Sequence, residues 1–113
     1  MHEYALIQSL VERVEAEARV HAASSVHRLN VRIGELSGVD VELFRTAFLT
    51  FRDRTICARA ELVVETVAVQ WACERCGTPI QAGQPLHCTA CHSPARLVGG
   101  DEIILDRIEM EVA

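Results

Sequence analysis

The stretch "VGGDEIILDRIEMEVA", Val98 to Ala113, is the one on which the organisation of this chain turns. Beyond its two glycines, Ile108, Met110 and Val112 alternate with Arg107, Glu109 and Glu111, the period-two pattern of a strand with one apolar face. Such a strand is marginal alone and must pair with something. The segment just upstream carries four cysteines and is too small to offer a large sheet, so the terminal strand is expected to return to a sheet laid down earlier in the chain. What lies between then becomes an insertion, entered after Trp71 and left near Gly99 and Gly100 through a hinge-like "VGGDE".

The earlier elements can be read outward from there. Between Glu3 and about Ala22, apolar Leu6, Ile7, Leu10, Val11, Val14 and Ala18 recur at spacings of three and four, with Glu12, Arg13, Glu15, Glu17 and Arg19 on the other side, as in an amphipathic helix. Ser24 and Ser25 break that pattern. "VHRLNVRIG" (26–34) then alternates Leu29, Val31 and Ile33 with Arg28, Asn30 and Arg32, a half-buried strand. After the "GELSG" turn, Asp40 can cap a helix whose Leu43, Phe44, Ala47, Phe48 and Phe51 form an apolar stripe. "ELVVETVAVQW" (61–71) is rich in β-branched residues and reads as a strand running into the cysteine module, Cys73 to Leu97. The expected fold class is α+β: a small mixed sheet with two helices, plus an inserted zinc-ribbon or rubredoxin-like zinc module. Residues 1–70 and 100–113 form one α/β domain and 71–99 the zinc-binding domain.

With 113 residues the chain can bury roughly 65% of its unfolded surface, enough for one modest core and a small second module. Half of its residues are apolar, which argues against disorder, and no apolar run approaches the ~20 residues of a membrane span. The start lacks the basic and continuous apolar regions of a secretory signal, so the amino terminus is expected to stay in place and the protein to be cytoplasmic. A net charge of −5 without a single lysine argues against nucleic-acid binding, which relies on clustered cations. Five cysteines in such a chain favour metal ligation over disulfides.

"CERCGTPIQAGQPLHCTAC" holds Cys73 and Cys76, then Cys88 and Cys91, two C-x-x-C knuckles separated by eleven residues. Each knuckle folds two sulfurs toward one point, Gly77 allows the tight turn, and two facing knuckles make a tetrahedral four-thiolate site suited to structural Zn(II). A redox C-x-x-C usually stands alone at a helix start, a context missing here, whereas spacing by itself leaves rubredoxin-like iron open. With little beyond Ile80 and Leu86 for a core, the module needs its metal to fold. His87 and His92 flank the second knuckle; they are either exposed neighbours of the thiolates or ligands that exchange onto the metal. His21 and His27 read as surface positions and Cys57 as a small buried apolar residue.

The opening "MHE" offers a second constellation. The Met1 amine, the His2 and Glu3 amide nitrogens and the His2 imidazole can wrap one ion in nearly planar fashion, which suits Ni(II) or Cu(II). A helix starting near Glu3 leaves its first amides without intrahelical partners and so available to a metal. Its positive end disfavours a cation, an effect that Glu3 and two deprotonated amides offset. The alternative is a terminal histidine of no consequence.

Taken together, "MHEYALIQSL", "VRIGELSGV" ahead of the phenylalanine-bearing helix, and the paired knuckles followed by a final strand resemble the HypA/HybF family of hydrogenase nickel-incorporation proteins along the whole chain. The resemblance implies a metallochaperone rather than an enzyme. It would deliver nickel to the nickel-iron hydrogenase large subunit precursor, working with a hydrogenase maturation GTPase and in some organisms serving urease maturation as well. It implies transient Ni(II) at Met1, His2 and Glu3, and Zn(II) at Cys73, Cys76, Cys88 and Cys91. His92 stands beside the second knuckle as the family often has it, but the first knuckle, "CERCG", has no such histidine. The competing reading is a zinc-ribbon protein-interaction adaptor whose amino terminus is idle.

Overall fold

A computed structural model describes residues 2–112. Helix α1 spans Glu3–Val20, followed by strand β1 (Ala23–Gly34), helix α2 (Val41–Phe51) and strands β2 (Glu61–Val67), β3 (Gln70–Cys73), β4 (Pro79–Ile80), β5 (Ala95–Gly99) and β6 (Ile103–Val112). The strands form two three-stranded sheets, ordered β2-β1-β6 and β4-β3-β5. The first is mixed: β1 runs parallel to β2, with Leu29 opposite Leu62, and antiparallel to β6, with Leu29 opposite Ile108. The terminal strand, which follows the cysteine module in sequence, thus returns to β1 on the side opposite β2. The segment 61–71, read as one strand, is divided at Ala68 and Val69, and its two parts join different sheets.

One apolar cluster supports the first sheet. Ile7, Val11 and Val14 from α1, Phe44, Ala47 and Phe48 from α2, and Val26, Leu29, Val31 and Ile33 from β1 are buried together, with Ile103, Leu105, Ile108 and Met110 of β6 packed against them. Every member of the cluster lies outside 68–102. Asp40 caps α2 by accepting a 3.1 Å hydrogen bond from the Leu43 N–H. Leu43 itself, expected on the buried stripe, is exposed, as is Val112 at the end of β6.

The alternation on β1 and β6 is interrupted where the ladder slips. Val26 pairs with Met110 but Arg28 with Glu109, leaving His27 as an extra residue, and Asn30 pairs with Arg107 but Val31 with Leu105, leaving Asp106 extra. Each bulge resets which face the next side chain meets. Val26 and Leu29 can therefore both be buried at a spacing of three, as Leu105 and Ile108 both pack inward. On the open face Arg28 bridges the strands, with Glu61 of β2 at 2.8 Å and Glu109 of β6 at 3.3 Å.

At the junction between the sheets Gly34, of the "GELSG" turn, and Gly100, of the "VGGDE" exit, form a clamp. Gly34 and Gly100 are both buried. A Cβ on Gly34 would come within 2.3 Å of the Gly100 carbonyl, and one on Gly100, whose φ is +89°, within 2.5 Å of the Val69 Cα. The Gly34 N–H donates to the Glu102 carbonyl at 2.8 Å and the Leu36 N–H to the Gly100 carbonyl at 2.7 Å. The glycines serve close approach of backbones. Gly34→Ala or Gly100→Ala is expected to lower stability by about 3 kcal/mol, since neither backbone neighbour can rotate away; denaturant unfolding measures it, and a loss within the scatter of surface substitutions would show that the junction yields.

Candidate metal centres

The cysteine module is built from two turns of like construction. In the first, the Cys73 N–H donates to the Thr78 carbonyl at 2.9 Å and the Gly77 N–H to the Cys73 carbonyl at 3.0 Å. In the second, the Cys88 N–H donates to the Ser93 carbonyl at 2.9 Å and the His92 N–H to the Cys88 carbonyl at 3.0 Å. The N–H groups of Arg75 and Cys76 both point at the Cys73 sulfur, 3.4 Å away. The turn residue is left-handed in both knuckles, Gly77 at φ +76° and His92 at φ +60°. His92 therefore occupies a glycine's position, at a backbone cost of roughly 1 kcal/mol. Its imidazole is exposed, as is that of His87.

All four sulfurs lie within 4.8 Å of one another, and neither histidine is part of the group. A tetrahedral four-thiolate zinc with bonds of about 2.3 Å separates its sulfurs by about 3.8 Å. The sulfur distances here are 3.2 Å for Cys73 to Cys91, 3.7 Å for Cys76 to Cys88 and 3.9 Å for Cys76 to Cys91. Four thiols at these spacings fit a zinc ion with sulfur shifts of less than about 1 Å. Local donors favour thiolates: hydrogen bonds from the Ser93 backbone first, then from Cys73 and the Ser93 side chain, hold Cys91 down at about 6. The Thr78 hydroxyl, its backbone N–H and Cys73 likewise hold Cys76 down. At Cys73 the Cys76 N–H pulls the same way, but burial and the neighbouring thiols outweigh it and the net direction is up. A divalent cation would resolve that contest in favour of the thiolate. The fifth cysteine, Cys57, is fully buried near the helices, and burial pushes its thiol up to about 11, consistent with an unreactive core residue.

At the other centre, Met1 lies outside the described residues. His2 is the N-cap of α1, extended at φ −85° and ψ 103°, and its side chain makes no capping hydrogen bond. The imidazole is exposed. The His2 carbonyl accepts from the Leu6 N–H at 3.1 Å, so the first helical turn is formed while its leading amides have no intrahelical acceptor. Beside them lies an apolar hollow of about 300 Å³ lined by His2, Tyr4, Thr46 and the half-exposed Leu43.

Residues 1–110 match the family described as hydrogenase/urease nickel incorporation, metallochaperone, hypA. The chain belongs to the HypA family. It is 38% identical to the hydrogenase maturation factor HypA of Wolinella succinogenes, covering 98% of this chain and 96% of that one. It is 36% identical to that of Shewanella halifaxensis, covering both chains completely. The solution structure of the Ni metallochaperone HypA from Helicobacter pylori superposes with a TM-score of 0.78 at 33% identity, again over both whole chains. A second HypA solution structure gives 0.83 at 32% identity over 100% of this chain and 98% of the other. As a HypA protein the chain is a nickel metallochaperone of hydrogenase or urease maturation, not an enzyme. None of its helices among the described residues is long and apolar enough to cross a membrane.

In this HypA chain one residue at the terminus has a role that sequence reasoning missed. Glu3, noted for its amide nitrogen, has a buried side chain whose carboxylate accepts a 3.0 Å hydrogen bond from the Asp40 N–H. Asp40 in turn caps α2. One chain of bonds thus fastens the first turn of α1 to the start of α2. That donor, and then Glu3's own N–H, hold the carboxyl below its ordinary value of 4.5. A depressed carboxylate stabilises the fold fully above that value and loses its contribution as acid protonates it in the folded state. Glu3→Ala is expected to lower Tm by roughly 5 °C at pH 7 and progressively less below pH ~4.5, with Glu3→Gln milder because an amide oxygen still accepts. A deficit unchanged between pH 7 and 3 would mean that packing, not the carboxylate, is what is lost. A hydrophobic pattern shows α1 and α2 separately; a contact spanning 37 positions left no periodic trace.

Proposed function

We propose that this chain carries Ni(II) on its amino terminus to the nickel-iron hydrogenase large subunit precursor, docking with a hydrogenase maturation GTPase in the cytoplasm. Urease maturation proteins are a further destination. The ligands are the Met1 amine, the His2 and Glu3 amide nitrogens and the His2 imidazole. The observation that carries this reading is the uncapped, exposed His2 at the start of a helix whose leading amides have no intrahelical acceptor, the Glu3 N–H reaching only its own carboxylate. Each amide gives up its proton to the bound metal without breaking a helical hydrogen bond. The buried carboxylate of Glu3 contributes negative charge that offsets the positive helix end beneath the cation. A site on the chain end can be approached from outside by an acceptor's ligands, so nickel can move by stepwise exchange.

Zn(II) at Cys73, Cys76, Cys88 and Cys91 is a resident structural ion in this proposal, the core around which residues 71–99 fold as a unit apart from 1–70 and 100–113. The separation is supported by an apolar cluster that draws nothing from 68–102. Calorimetric titration of nickel into zinc-loaded protein with a native, untagged terminus tests the whole reading. One equivalent bound with proton release supports it; no binding leaves a zinc-dependent adaptor with an idle terminus.

A further inference from the structure

In a chain of net charge −5, with 11 cationic residues and no lysine, three arginines converge on one cavity. Arg45, Arg52 and Arg59 surround a hollow of about 400 Å³ between the end of α2 and the start of β2, floored by Phe48, Leu49 and Leu62. The one carboxylate on its rim, Glu61, is engaged elsewhere, accepting from the Arg28 Nε at 2.8 Å. Arg52 is held in place: its Nη1 donates to the Ala60 carbonyl at 2.6 Å and its guanidinium stands 5.8 Å from the Phe48 ring centroid. Arg45 and Arg59 form no ion pair among the described residues. Beside them Leu49 leaves 56% of its surface in water. Apolar floor and uncompensated guanidinium rim together call for a ligand with both characters, since arginine pairs with carboxylates in bidentate fashion and Leu49 gains by being covered.

The cavity's second wall narrows the ligand to a polypeptide. β2 is an outer strand of the sheet, so the backbone edge opposite β1 is bonded to no other strand among the described residues. An extended chain can add to such an edge while its side chains enter adjacent pockets. Glu65 lies farther along β2, which restricts carboxylates of the incoming chain to the α2 end. We propose that the Arg45–Arg59 cavity docks an extended acidic segment of a partner protein, with an apolar side chain on Phe48, Leu49 and Leu62 and flanking carboxylates on Arg45 and Arg59. This surface is distinct from both metal centres and holds whether or not the amino terminus binds nickel.

The test uses the full zinc-loaded chain and a fluorescent octapeptide of two leucines flanked on each side by acidic residues. Anisotropy is expected to show saturable binding, weakened about tenfold when the acidic residues become amides. Arg45→Glu with Arg59→Glu should abolish binding at unchanged thermal stability. Arg13→Glu with Arg19→Glu, the same charge change on α1, should weaken it less than about twofold. Amide shifts should centre on Leu49, Arg59 and Leu62. No binding up to about 1 mM, or equal loss in both double variants, overturns the proposal. So does succinate alone reproducing the shifts, which would mark a small-anion site. A dimer that Arg45→Glu with Arg59→Glu dissolves would assign the surface to a second copy of the chain and overturn it equally.

Discussion

Removal of zinc, by chelation or by Cys76→Ser, is expected to unfold residues 71–99 while α1, α2 and the β2-β1-β6 sheet persist. The small sheet is held by few strand pairs: β4 contributes two residues, Pro79 and Ile80, and the whole loop from Gln81 to Leu86 is exposed. Ala72, Cys73 and Cys88 are the module's buried apolar residues, and two of these are themselves proposed ligands. Binding of structural zinc supplies about 10 to 16 kcal/mol in comparable small modules, more than the apolar surface here can replace. Cys76→Ser leaves three thiolates drawn together around a weaker oxygen ligand. The first sheet keeps its cluster because Phe44, Phe48, Leu29 and Ile33 are buried among residues that all lie outside the module. Amide exchange should show protection lost at Trp71, Cys73 and Leu97 and kept at Leu29, Val31 and Val64. Parallel loss at both sets would mean that the Gly34–Gly100 clamp makes the chain a single cooperative unit, and the two-domain proposal would fall.

Blocking the chain end is expected to remove nickel binding as completely. Acetylating Met1 takes away the amine, and placing even one residue before it shifts every ligand out of register although His2 remains. His2→Ala removes the imidazole and should cost no more than ~0.5 kcal/mol of stability, because the side chain is exposed and caps nothing. Wild-type protein should give the yellow low-spin spectrum of planar nitrogen-bound Ni(II). Two of the four nitrogens are amides that release protons only to the metal, so more than one proton per nickel should appear in the buffer. Nickel competes with protons for every ligand, so affinity should weaken as pH falls from about 8 to 6. An extended protein that kept spectrum, affinity and proton release would show that the free terminus is not a ligand, and exposed His87 and His92 would become the candidates.

The sequence alone was enough wherever physics is local. The three-and-four spacing of Ile7, Val11, Val14 and Ala18 marks α1, the Asp40 carboxylate caps a helix three residues ahead, and the C-x-x-C spacing of Cys73, Cys76, Cys88 and Cys91 brings four sulfurs within 4.8 Å. Even the return of β6 to the first sheet followed from its alternation, because a one-sided apolar strand has to find a partner and the cysteine module is too small to offer one. Tertiary structure decided what depends on residues far apart. Burial of the Glu3 carboxylate requires the Asp40 N–H to arrive from 37 positions away. The bulges at His27 and Asp106 arise only when β1 and β6 are laid together. Gly34 in a turn and Gly100 at the module's exit are unrelated in sequence and form a clamp in the fold, because their missing side chains matter only where two backbones meet. The three arginines, scattered over fifteen positions, form one cavity only because α2 ends where β2 begins. Periodicity records which face of an element meets the core; it carries no record of which other element is waiting there.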